Sequence, residues 1–250
     1  MSVKRKPVAL TIAGMDSSGG AGVTLDLATF EALGVRGKSV VTAITAQSVK
    51  AVHAVQGTRP ALITAQLEAA FSERRPQAAK CGMLYSAGVV EAVADFWSDR
   101  RVPLVIDPVL ASSSGTALLN PSGVRSLKRH LLPMAKLATP NVPEAEALTG
   151  LVVKNPETMQ KAARAIYEQY GCAVIVTGGH MKGTKIVEVF FDGRKEWLLT
   201  TPRLTGGPWR GTGCRFASAV AANLAKGTAL SESIQHATRW VSGQLKRIID

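Results

Sequence analysis

Near the end of this 250-residue chain, Arg210-Gly211-Thr212-Gly213-Cys214 runs straight into an alanine-rich stretch, Phe216 to Ala225. Two glycines let the backbone turn so that successive N–H groups converge, and a helix starting there adds partial positive charge from its dipole. Such a pocket suits an anion, in particular a phosphoryl group in transfer. Cys214 would stand at the helix start, where a thiol's pKa tends to fall, so it is a candidate base for an attacking hydroxyl. A plainer reading stays open on these residues alone: a glycine turn before a buried helix with a small apolar cysteine.

A second glycine loop runs from Gly14 to Gly22 (GMDSSGGAG). It lacks the lysine of a phosphate-cradling P-loop, and Gly14, Gly19 and Gly22 are not spaced as in the dinucleotide fingerprint. A flexible strand-to-helix turn and a close approach of backbone to a small ligand both fit. Beyond it, Val23, Leu27, Phe30 and Leu33 form one apolar arc at helical spacing. At ~100° per residue, Asp26 falls inside that arc. A carboxylate facing the core is costly unless something binds it. Backbone amides or a water-filled edge would suffice; a hydrogen bond to a ligand is the expectation preferred here.

The elements that must carry these residues alternate. Val8–Ala13, Ser39–Ala46, Ala78–Cys81, Leu104–Ile106, Leu137–Ala138 and Ala173–Val176 read as strands. Pro60–Ser72, Ala87–Trp97, Pro121–Leu132, Pro156–Tyr170, Thr212–Ala225 and Leu230–Ile249 read as helices, several opened by Pro, Ser or Thr. This alternation predicts a mainly parallel sheet covered on both faces. Lys185–Phe191 and Lys195–Thr201 flank Asp192-Gly193, a hairpin dipeptide, so antiparallel strands are expected at the sheet's end. No repeat, low-complexity stretch or linker interrupts the pattern, and residues 1–250 read as a single domain. Ligands of open parallel sheets bind beyond the carboxyl ends of the strands. Gly14-Met15-Asp16, Gln47, Cys81-Gly82-Met83, Asp107, Asn141 and Gly178-Gly179-His180 each follow a predicted strand, which suggests one convergent site.

Composition narrows the classes. Charged residues make up 19% and hydrophobic ones 46%, a globular mixture. No apolar run approaches the ~20 residues of a bilayer helix, so no membrane span is expected. The basic start, Met1 to Lys6, is followed by an apolar run too short for a signal peptide, which reads as a strand and a cytoplasmic protein. Three cysteines, Cys81, Cys172 and Cys214, are too few and too scattered for a disulfide framework or a zinc site. The formal net charge is +12, but basic residues are dispersed and aromatics are only 5%, so no nucleic-acid partner is expected.

Taken in order, further stretches add to the two glycine loops: Ala9-Leu-Thr-Ile-Ala-Gly14, Asp26-Leu27, Val41-Thr-Ala-Ile-Thr-Ala-Gln47 and Lys80-Cys-Gly-Met-Leu84. Asp107-Pro-Val109, Ser114-Gly115 and Thr139-Pro-Asn-Val-Pro-Glu-Ala-Glu146 follow. From about Val8 to the last helix, this series resembles the hydroxymethylpyrimidine/phosphomethylpyrimidine kinases of thiamine biosynthesis. The resemblance implies a ribokinase-like three-layer α-β-α sandwich, mainly parallel, with antiparallel edge strands. It implies ATP-dependent phosphorylation of a hydroxymethylpyrimidine, its monophosphate, or both, with Mg2+, by a homodimer. Gly14, Asp26, Gln47, Met83 and Val109 would hold the pyrimidine. Cys214 would be the base, and the amides of Gly211, Thr212, Gly213 and Cys214 the anion hole. Asp107, Asn141, Thr177, Gly179 and Arg210 would face nucleotide and phosphates, with Asp107 and Glu144 placing Mg2+, Glu144 through water. Asn141 and Glu144 also read as a helix start with Asn as cap.

The chain departs from the resembled pattern on the phosphate side. Thr177 stands where Lys is usual, Ser113 where Lys or Thr is usual, Thr24 where Gln is usual, and Pro208-Trp209-Arg210 where Asn-Thr-His is usual. Arg210, or Arg215 beside it, would restore positive charge. Pyridoxal kinase of the same superfamily is the rival reading, and Gln47 favours the pyrimidine over it. A weakly catalytic pyrimidine-binding relative is a further alternative.

Overall fold

The structure is a computed structural model and describes residues 5–112, 114–207 and 209–249. Ser113 and Pro208, two of the departures noted above, lie outside the described residues. The strands are β1 (Val8–Asp16), β2 (Arg36–Gln47), β3 (Val52–Gly57), β4 (Ala78–Cys81), β5 (Leu104–Ile106), β6 (Leu137–Ala138), β7 (Ala173–Thr177), β8 (Lys185–Phe191) and β9 (Glu196–Pro202). The helices are α1 (Gly22–Ala32), α2 (Pro60–Ser72), α3 (Ala87–Trp97), α4 (Pro121–Ser126), α5 (Val142–Thr149), α6 (Pro156–Tyr170), α7 (Thr212–Ala225) and α8 (Leu230–Ile249).

The strands form one sheet in the order β3-β2-β1-β4-β5-β6-β7-β8-β9. From β2 to β7 all pairings are parallel; β3 joins β2, β8 joins β7, and β9 joins β8, all three antiparallel. Alternation along each strand sorts its side chains between two cores. Leu10, Ile12, Cys81, Leu104 and Ile106 pack under α2, α3, α5 and α6. Ala9, Ala78, Val105, Leu137 and Ile175 pack under α1, α7 and α8. This is the expected three-layer α-β-α sandwich with antiparallel edges. No described helix is long and apolar enough to cross a membrane.

Two elements differ from the sequence reading. β3 was not expected, because Val52-His-Ala-Val-Gln-Gly57 is a largely exposed edge strand and lacks a run of buried apolar residues. The helix expected over Pro121–Leu132 stops at Ser126 and continues as a wide π turn over Leu127–Leu131, then a tight turn over Leu132–Met134. Pro133, with no N–H to donate, cannot continue α-helical bonding there. The helix start read at Asn141 is borne out: Asn141 caps α5, which Gly150 closes in the left-handed region.

Candidate functional site

The tip of α7 is built by Gly211, at φ +71°, where a side chain would strike the Gly20 carbonyl oxygen and Leu25. Only glycine turns here and still touches the first glycine loop. The Arg215 N–H donates to the Gly211 carbonyl at 2.9 Å and starts α7. A Cβ added at Gly213 would sit 3.8 Å from Asp107 Oδ2. Asp107 and Gly22 lie beside Cys214, close enough to act on the proton affinity of its thiol. The two glycine loops and the end of β5 therefore meet around Cys214, with Thr212 in the first turn of α7.

On one side of this meeting point lies an apolar wall. Met83, Ala43 and Leu118 pack together with Val55 and Val109. A Cβ on Gly14 would sit 2.8 Å from Met83 Sδ, so glycine is what lets the β1 end lie flat against that wall. The Thr42 hydroxyl fixes the Met83 carbonyl at 2.6 Å. Gln47 ends β2 on the same edge; Thr45 donates to its Oε1 at 3.2 Å, and its backbone exchanges hydrogen bonds with Ser17.

Asp26 departs from expectation. Its carboxylate is fully buried and accepts from Thr11 Oγ1 at 2.6 Å, Lys80 Nζ at 2.9 Å and Ser218 Oγ at 2.7 Å. The apolar arc on α1 placed it correctly in the core, but protein donors, not a ligand, satisfy it. Three of its roughly four acceptor positions are filled from within.

On the other side, Asn141 caps α5 in a reciprocal box with Glu144: the Asn141 side chain accepts from the Glu144 N–H at 3.0 Å, and Glu144 accepts from the Asn141 N–H at 2.9 Å. Thr177 ends β7 beside Asn141, its N–H donating to the Pro140 carbonyl at 2.9 Å. The loop after it is pinned by Arg203, which donates to the carbonyls of Gly179, Met181 and Gly183. Sequence reading did not single out Arg203. Arg210, expected at the phosphates, instead reaches the first glycine loop. It donates to the Ser48 carbonyl at 3.1 Å and approaches Ser18 Oγ and Asp16 Oδ2, each at 3.4 Å. Arg215 donates to the Arg210 carbonyl at 2.9 Å. Neither arginine stands free beside the anion hole.

Residues 16–250 match the family described as phosphomethylpyrimidine kinase. The chain is also 42% identical over 235 residues to the hydroxymethylpyrimidine/phosphomethylpyrimidine kinase of Rhizobium meliloti, covering 94% of this chain and 88% of that one. The chain belongs to the phosphomethylpyrimidine kinase family. It is 41% identical over 95% of its length to the thiamine biosynthesis bifunctional protein ThiED of Geobacter sulfurreducens, and spans about half, 49%, of that longer protein. Among solved structures, a Bacillus subtilis pyridoxal kinase in complex with ADP shares the fold with a TM-score of 0.87 at 35% identity, over 94% of this chain and 90% of that one. The fold is thus ribokinase-like and the chain is a kinase.

The electrostatics of this kinase site run against one expectation. Burial pushes the Cys214 thiol up to about 12; Lys80 pulls it down, while Asp107 and Asp26 push it further up. At a bare helix tip the dipole would lower it, but burial, with the two carboxylates adding to it, outweighs that here. Burial likewise raises Asp107 to about 6, opposed by Lys80, and Glu144 to about 8, with the nearby Asp107 charge adding to the rise. Lys80 is itself fully buried, which lowers its pKa, yet Asp26, Cys214 and Asp107 together hold its ammonium firmly charged. The ligand-free site thus carries more negative charge than Lys80 alone balances.

Proposed function

We propose that this kinase transfers the γ-phosphoryl group of ATP to 4-amino-5-hydroxymethyl-2-methylpyrimidine, to its monophosphate, or to both in turn. The observation that carries this is the packing of the Gly211–Cys214 tip onto Gly20 and Asp107, on the same sheet edge as Gln47, Gly14 and Met83. Gln47 would fix the ring through its amide, with Met83 and Val109 as apolar walls. Cys214, once ionised to its thiolate, takes the acceptor proton as the acceptor oxygen attacks the γ-phosphorus, and the bond to the β-phosphate oxygen breaks to release ADP. The Thr212, Gly213 and Cys214 amides would hold the spreading negative charge. Asn141, Thr177 and Gly179 would line the nucleotide phosphates.

Asp107 and Glu144 fit a divalent cation: they are neighbouring buried carboxyls, each with a raised affinity for protons that a cation would displace. Glu144 already accepts from the Asn141 N–H at 2.9 Å, which favours its acting through water. Mg2+ there would neutralise charge on the transferred group and on Asp107. With Asp107 neutralised, the charged Lys80 would oppose the effect of burial with one carboxylate fewer against it, which would favour the Cys214 thiolate. We further read residues 1–250 as one cytoplasmic kinase domain that functions as a homodimer. The single continuous sheet supports the first part of that reading.

Pyridoxal is the second acceptor to consider, because the Bacillus subtilis pyridoxal kinase shares the whole fold. A coupled ADP-release assay on hydroxymethylpyrimidine, its monophosphate and pyridoxal decides between them. Both pyrimidines are expected to outrun pyridoxal, and Cys214→Ala is expected to lower turnover by about 10²-fold or more. Preferential turnover of pyridoxal would replace the proposed acceptor. Near-normal activity in the alanine variant would remove Cys214 as base.

A further inference from the structure

Four side chains from four elements meet with no solvent exposure: Thr11 on β1, Asp26 on α1, Lys80 on β4 and Ser218 on α7. Asp26 is their centre, bonded to the other three at 2.6–2.9 Å. Space for the Lys80 ammonium exists only because residue 82 is glycine; a Cβ there would lie 2.6 Å from Nζ. Replacing a buried ion pair by well-packed apolar side chains is often neutral or favourable to stability, so stability alone gives little reason for this cluster.

The helix it anchors supplies a reason. The part of α7 packed on the sheet and α1 is mostly alanine, Ala217, Ala219, Ala221, Ala222 and Ala225, with Phe216 and Val220 as its larger buried side chains. With only two such side chains, that face offers few ridges to fix the helix along its axis. Ser218 lies one turn after Cys214, and its bond to Asp26 at 2.7 Å is directional where the alanines are not.

We propose that Asp26 is a positioning residue for phosphoryl transfer: through Ser218 it fixes α7, and with it the Gly211–Cys214 amides, on the sheet edge that carries the acceptor. Lys80 holds the carboxylate in place from the sheet, so the bond from Thr11 can be lost without moving α7. This deepens the kinase reading above and rests on it.

The test compares Ser218→Ala with Thr11→Val. Both remove one hydrogen bond to the same carboxylate, but only the first frees the helix. Ser218→Ala is expected to lower kcat about 10-fold, with KM for ATP and for the pyrimidine within twofold, since small misplacement of a reacting group is costly. Affinity for MgADP with aluminium fluoride, a mimic of the transferring phosphoryl, should fall in parallel while ATP affinity holds. Thr11→Val is expected to lower the melting temperature by a similar amount yet keep kcat within twofold. Equal kcat losses in both variants, or an unchanged kcat in Ser218→Ala, overturn the proposal. Should the alanine variant not fold, Ser218→Cys keeps the volume with a weaker bond, and a loss of about threefold is expected of it. If the wild type phosphorylates neither pyrimidine, the acceptor assignment fails, and the aluminium fluoride measurement still decides the role of Asp26.

Discussion

Two buried carboxyls at the mouth of the site, Asp107 and Glu144, set a pH dependence that can be read directly. Burial raises them to about 6 and about 8, so both bind protons more tightly than in the unfolded chain. Their contribution to stability is present below the ordinary carboxylate range and is lost as pH rises through about 6 to 8. Occupancy by Mg2+ and nucleotide favours the ionised forms, so affinity should rise over the same window and binding should release protons. Titration calorimetry at pH 7, in two buffers of different ionisation enthalpy, is expected to show that release. Equal heats in the two buffers would mean that these carboxyls do not meet the cation. At this scale the sequence was partly legible. Asp26 could be placed in the core because the arc on α1 surrounds it. Its partners could not be foreseen, because Lys80 and Ser218 lie 54 and 192 residues away. Lys80 did leave a signal, a lone charge inside the otherwise apolar strand Ala78–Cys81.

Among the elements, the tip of α7 depends on backbone more than on side chains. Gly211 holds φ +71° and lies against the Gly20 carbonyl and Leu25, whereas the Cβ position at Gly213 meets nothing closer than Asp107 at 3.8 Å. Gly211→Ala must therefore shift the tip away from the first glycine loop, as well as adopt a conformation that L residues rarely take. It is expected to lower kcat by 10-fold or more, because the amides and Cys214 move together, and to lower the melting temperature. Gly213→Ala is expected to melt like the wild type, since its added methyl enters ordinary contact distance. Calorimetric melting of both variants, with steady-state assays, checks the contrast; equal destabilisation would show that the φ +71° turn is not the constraint. The glycine pair and the alanine run made this element readable in advance. Arg210 was not, because which loop a flexible guanidinium reaches depends on the fold that brings Asp16, Ser18 and Ser48 beside it.

Over the whole molecule, regular alternation of strands and helices predicted the parallel sheet and both covered faces, because each strand buried on two sides needs a continuous apolar run. The edge β3 escaped for the converse reason: half in solvent, it carries no such run. The antiparallel end, announced by Asp192-Gly193, contains a feature no motif signals. Glu188 on β8 points toward α8 and accepts from Thr238 Oγ1 at 3.0 Å. Burial raises its pKa to about 7, with the Thr238 bond pulling the other way. The folded protein therefore favours the protonated acid. Glu188 contributes stability below the usual glutamate range and loses it as pH climbs through about 7. Glu188→Gln keeps the shape and the acceptor for Thr238 but cannot ionise. The side chain retains some solvent access, so the gain at pH 8 should be held to about 1 kcal/mol. For a chain of this size that corresponds to a melting temperature about 2–4 °C above wild type at pH 8, converging with it near pH 5. Phosphotransfer should change by less than twofold, because the Glu188 side chain turns to Thr238 on α8, while it is the backbone of Glu188 that pairs with Thr177 at the end of β7. A constant offset between the two proteins across pH 5 to 8 would show that Glu188 does not titrate in this range.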